Sequence, residues 1–144
     1  MIFLKKILIS TLSTVFFSVS LAFIEYTPVA GQFPNVGYSS FGGLFVIYCV
    51  YSFPLFLIGG SLYSYFVDIY FDNIHFPSKL QKYIFGLFIY IVGGLLIVGI
   101  LLIVILLIYG NTSGVLTFKF FIIGIIASLL FYHTSLVLDK LRFV

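Results

Sequence analysis

Between Lys82 and Lys119 the chain carries no charged residue at all. A stretch this apolar cannot form a water-facing surface, so the fold question becomes how often the chain crosses a bilayer. The rest of the composition agrees. Of 144 residues, 62% are hydrophobic and 8% charged, with a mean hydropathy of +1.28, whereas a soluble domain carries about 25% charge. A helix crossing a hydrocarbon core of about 30 Å needs about 20 mostly apolar residues, each adding about 1.5 Å. Four segments qualify: Ile7 to Ile24, Phe41 to Val67, Leu80 to Tyr109 and Val115 to Leu138. The sequence therefore predicts an all-α integral membrane bundle of about four transmembrane helices, forming one domain over residues 1–144. The third segment exceeds the core thickness and is expected to tilt.

Turn chemistry marks the same edges. Pro77 followed by Ser78, with Gln81 three residues on, reads as a stop and then a capping box opening the third span. Gly110-Asn111 reads as a helix-ending pair, and Thr112 or Ser113 as the next cap. The connection at 110–114 is short enough to make spans three and four antiparallel neighbours. Asn111-Thr112-Ser113 also matches a glycosylation sequon, which reads as a chance match so close to a membrane. The 25–40 segment reads as an irregular connection. The 68–82 segment mixes charges with Ile69, Tyr70, Phe71, Ile74 and Phe76, and reads as a loop lying in the interface.

Basic residues sort to one side. Lys5, Lys6, Lys79, Lys82, Lys140 and Arg142 fall on one face, against Lys119 alone on the other, which places the amino and carboxyl ends in the cytoplasm. Lys119 sits near the outer end of span four and is expected to snorkel to the headgroups. Ser20-Leu21-Ala22 after an apolar run resembles a signal-peptide cleavage site. The run is longer than such a region, so an uncleaved first span is expected; cleavage would leave three spans with the same orientation.

In lipid, helices associate through close backbone approach and polar contacts. Ser10, Thr14, Ser18 and Ala22 recur every four residues and stack on one face of span one, widened by Thr11 and Ser13. This reads as a packing face, with a polar lining for a substrate path as the alternative. Gly60 with Ser64, and Gly124 with Ser128, offer the same spacing, and Gly86 and Gly93 share a face that would admit a bulky neighbour. Pro54, followed by Gly59-Gly60, predicts a kink in span two; broken helices also mark transporter binding sites.

Away from the span edges, the basic residues within the spans are His133 and Lys119, both in span four. His133 lies about 7 Å from the inner end, with Ser61 at similar depth in span two and Asp68 just below. If spans two and four touch, Ser61, His133 and Asp68 can meet. The simpler reading of His133 is a hydrogen-bonded interhelical contact. A serine-protease reading needs a glycine after the serine and more than four spans, and neither is present. His75 beside Asp72 falls short of a metal site. No phosphate-binding glycine loop, zinc-type histidine pair or redox cysteine pair occurs, so no catalytic residue, metal or cofactor is expected. The single cysteine, Cys49, reads as a small buried hydrophobe. No basic stripe suggests nucleic acid. A small multidrug transporter would need a glutamate inside the first span, and a holin a long charged tail; this chain has neither.

The segment from Tyr51-Ser-Phe-Pro54 through Gly59-Gly60-Ser61 to Ser64 and Asp68 resembles part of a family of small uncharacterised multi-pass membrane proteins of bacilli. The resemblance covers about the first half of the chain. It implies several spans in a bacterial cell membrane and brings no activity with it. The expected role is non-enzymatic, through helix contacts with itself or another membrane protein, with membrane lipids at the basic inner rim. The alternative is a small transporter or channel with Pro54, Gly59-Gly60 and His133 along its path.

Overall fold

The computed structural model describes residues 2–110 and 114–140 and is all-helical there. Helix α1 runs over Ile2–Glu25, α2 over Phe41–Pro54, α3 over Ser61–Asp72, α4 over Lys79–Tyr109 and α5 over Gly114–Lys140. A π-helical stretch, Leu55–Gly60, joins α2 to α3, so the three form one continuous rod. The fold is an all-α bundle with four helices long and apolar enough to cross a membrane.

Helix ends follow from their local sequence. Ser40 caps α2 by accepting from the Gly43 N–H at 3.1 Å, and Ser78 caps α4 by accepting from the Gln81 N–H at 3.2 Å. Each hydroxyl satisfies one of the donors that a helix start leaves without an intrahelical partner. α4 stops at Gly110, whose φ of 71° lies in the left-handed region and whose N–H returns to Leu106 O at 2.9 Å. Glycine meets no steric penalty in that conformation. The expected cap at Thr112 or Ser113 and the Asn111 sequon lie outside the described residues.

Two boundaries differ from expectation. Residues 68–72, read as part of a loop, are helical to Asp72, leaving only 73–78 as the connection. Asp68 is anchored from a neighbouring helix, and the aromatic Phe71 packs on Phe76 and Phe85, so the helix has reason to continue past the apolar run. The 25–40 connection is not wholly irregular; it contains a 3₁₀ turn at Val29–Gly31 and a left-handed Asn35.

At Pro54 the rod continues instead of breaking. Proline has no N–H to give to the carbonyl four residues back. The π-helical turns that follow pair each carbonyl with an N–H five residues on, the wider geometry usual where a ladder has been disturbed.

α1 packs along the α2–α3 rod on one side and along α5 on the other, and α5 packs on α4. α4 thus makes its backbone contacts with α5 and reaches the rod through side chains. Gly94 and Gly124 let the α4 and α5 backbones approach closely: a Cβ on Gly94 would stand 2.5 Å from the Gly124 carbonyl oxygen. Elsewhere the bundle is filled by rings. Phe131 lies against Gly60, Tyr132 over Gly86 and Tyr63 over Gly93. Phe56 stacks on Phe131 at 6.1 Å, and Tyr90 on Tyr132 at 4.7 Å.

The distribution of polarity is inverted relative to a protein built for water. Ser10, Ser13, Ser18 and Ser64 are fully buried, and Thr14 and Lys6 nearly so. Phe16, Phe23, Ile24, Val50, Phe88 and Leu107 are exposed, among many other large apolar side chains. Apolar cladding around a hydroxyl-bearing interior suits a hydrocarbon solvent, where helices gain little by hiding leucine from lipid and more by joining polar groups. Cys49, expected to be buried, is half-buried.

Candidate functional site

The most ordered chemistry of the molecule lies at the end of the bundle where α1 begins. Lys5 and Lys6 are consecutive on a helix and therefore point about 100° apart. They reach different neighbours: Lys5 forms an ion pair with Asp139 at the end of α5, and Lys6 with Asp68 of α3, Nζ to Oδ2 at 2.5 Å. The Lys6 side chain is 9% exposed, whereas Asp68 remains 54% exposed. Lys6 also donates to Ser64 Oγ at 2.5 Å, and the Tyr90 hydroxyl donates to the same oxygen at 2.9 Å. Ser64 Oγ has two lone pairs, and these two donors use them. One network thus joins α1, α3 and α4 where a lone ammonium would be costly.

One turn deeper, Ser10 Oγ lies 2.9 Å from Lys6 O, 3.1 Å from Phe56 O and 2.9 Å from Ser61 Oγ. With its single proton committed to a carbonyl, Ser10 accepts from Ser61. The hydroxyl therefore seats α1 against the π-helical stretch. Thr14 returns its hydroxyl to Ser10 O at 2.8 Å, while the buried Ser13 and Ser18 hydroxyls have no partner among the described residues. Ser10, Thr14, Ser18 and Ala22 all lie buried inside the bundle, so this strip faces the chain's own helices.

Ser61, Asp68 and His133 do not come together. Ser61 and Asp68 meet Ser10 and Lys6 of α1 instead. His133 lies on an exposed flank, with Nδ1 2.7 Å from Leu129 O and Nε2 3.1 Å from the Tyr83 hydroxyl. A carbonyl only accepts, so Nδ1 donates; in the neutral ring Nε2 then accepts from Tyr83. The arrangement couples α5 to α4 and supplies no base to a serine.

Between the rod and α4 the helices stand apart. Tyr63 bridges the gap by donating to Ile89 O at 2.7 Å, and Tyr90 bridges it through Ser64. Beyond them an apolar crevice of about 190 Å³ is lined by Leu55, Phe56, Gly93, Ile97, Leu101 and Ala127, among others. At the lysine-rich end a second cavity of about 290 Å³ is lined by Asp68, Lys79, Lys82, Tyr83, Ser135 and Asp139, among others. Tyr90 lines both, so the two adjoin. Pro54 and Gly59 belong to the rod beside the crevice, and Gly60 lines it.

Sequence reasoning missed Lys5, Lys6, Ser64 and Tyr90 as partners in one network. The available signal was two adjacent basic residues, set against acids at the matching ends of two other spans. The chain matches no protein-family model, no curated protein and no solved structure.

Proposed function

We propose a multi-pass, non-enzymatic protein of a bacterial cell membrane that works through contacts inside the bilayer. Its amino and carboxyl ends are cytoplasmic, and the seam between the α2–α3 rod and α4 is its contact face. The observation that carries this reading is the seam itself: two neighbouring helices held apart by tyrosine bridges, with an apolar crevice left between them. The strip of small residues on α1 is consumed within the bundle, so a guest from the bilayer meets the seam instead. Apolar walls and a His133 set on the outer flank favour contact over conduction of a polar solute. The resemblance of Tyr51–Asp68 to proteins of bacilli supports the cellular setting.

The test is photo-crosslinking in native membrane from benzoylphenylalanine placed at Leu101, which lines the crevice. Adducts to a molecule outside the chain, whether lipid, a second copy or another membrane protein, are expected. Adducts only to the chain's own rod would show the seam shut and end this reading.

A further inference from the structure

We infer that the seam is a binding site for one anionic glycerophospholipid, its acyl chain in the apolar crevice and its phosphate at Lys79 and Lys82. This rests on the reading of the seam as a contact face and names the occupant.

Two adjoining cavities, one without charge and one holding charged side chains, carry the inference. The crevice is walled by aliphatic, aromatic and glycine residues together with Ser52 and Ser128, and along α4 it runs from Tyr90 to Leu101, about 16 Å of helix. The cavity below it holds four charged side chains set among apolar and aromatic ones. Its two carboxylates, Asp68 and Asp139, are already engaged by Lys6 and Lys5. Its two lysines, Lys79 and Lys82, are three residues apart in the first turn of α4 and so share a face. Lys82 places its ammonium 5.8 Å from the centre of the Phe71 ring, at the rim of the cavity. Neither lysine joins an ion pair among the described side chains. The mouth therefore offers positive charge at headgroup depth directly beneath an apolar slot. A lipid supplies both halves of the complement. A soluble anion would leave the slot unfilled, and a transmembrane helix would leave the two ammonium groups without a counter-charge.

The experiment uses the full chain purified in a non-ionic detergent and incubated with equal amounts of dioleoylphosphatidylglycerol and dioleoylphosphatidylcholine. Retained lipid is read by native mass spectrometry. The anionic lipid should be retained roughly twenty-five-fold over the zwitterionic one, as expected where each of the two lysines near the headgroup contributes about fivefold. Lys79→Gln with Lys82→Gln should abolish the preference, and Lys140→Gln, on the same end but outside the cavity, should leave it intact. Leu101→Trp, which fills the crevice, should lower retention of the anionic lipid. Glycerol phosphate in excess should not compete. Equal retention of both lipids by the unaltered chain overturns the proposal, and this comparison stands even if a variant fails to fold. An unchanged preference in the double variant, a loss in Lys140→Gln, or displacement by glycerol phosphate overturns it too. If Leu101 crosslinks a polypeptide instead of lipid, the lipid site falls while the contact face stands.

Discussion

Lys6 and Lys5 are adjacent in the chain yet sit in different electrostatic settings. Lys6 is almost wholly covered, and its ammonium meets the Asp68 carboxylate and the Ser64 oxygen inside the bundle. Lys5 and Asp139 are 31% and 51% exposed, so their attraction is weakened by their surroundings. Removing a carboxylate from a buried ammonium leaves an uncompensated charge, a loss of about 3 kcal/mol, whereas a partly exposed pair contributes about 1 kcal/mol or less. Asp68→Ala is therefore expected to lower stability well beyond Asp139→Ala, measured as the midpoint of unfolding in mixed detergent micelles. Equal losses would mean that burial of Lys6 has no energetic weight. The sequence offers Asp68 as a candidate neighbour of Ser61 and His133, and matches neither acid to a lysine. Which lysine faces which acid depends on how α1 is rotated, and a sequence of span positions does not fix that rotation.

Among the elements, α4 and α5 form the tightest pair, and small residues set their distance. A Cβ on Gly94 would meet the Gly124 carbonyl oxygen at 2.5 Å and Ser128 Oγ at 2.6 Å, whereas one on Gly99 would meet nothing within 4 Å. Gly94→Ala should thus force the helices apart at a cost of about 1–3 kcal/mol. Gly99→Ala should change stability by no more than about 1 kcal/mol, in the direction of better helix propensity. The same micelle titration distinguishes them, and indistinguishable midpoints would remove Gly94 as the contact point. The spacing of Gly124 and Ser128 was readable in the sequence. The pairing of Gly94 with Gly124 was not, because many small residues offer the same pattern and only the three-dimensional register selects among them. Likewise the short 110–114 connection made α4 and α5 neighbours in advance, while nothing local announced that α1 would pack on both the rod and α5.

For the whole molecule, the ion pairs place the start of α1, the lower end of α3 and the end of α5 at one end of the bundle. This is the end that holds Lys5, Lys6, Lys79, Lys82 and Lys140. Under the proposed orientation, reporter fusions after Arg142 and within 68–82 should report cytoplasm, and one near Gln32 should report the outside. A cytoplasmic signal at Gln32 would refute the orientation. Helix number and approximate limits were legible because hydropathy and length decide them directly. The seam was not, since it arises from the order in which four helices pack and from two tyrosines that hold a gap open.

The π-helical stretch has a consequence for everything after it. Pairing each carbonyl with an N–H five residues on absorbs one residue more per turn than a regular helix would. The rest of the rod is thereby turned out of phase by roughly 100°. Ser61, Ser64 and Asp68 owe their aim at Ser10 and Lys6 to that offset. With the ladder regular throughout, those three groups would swing away from the first helix, and the ammonium would lose its counterion without any change in the amino acids that make the pair.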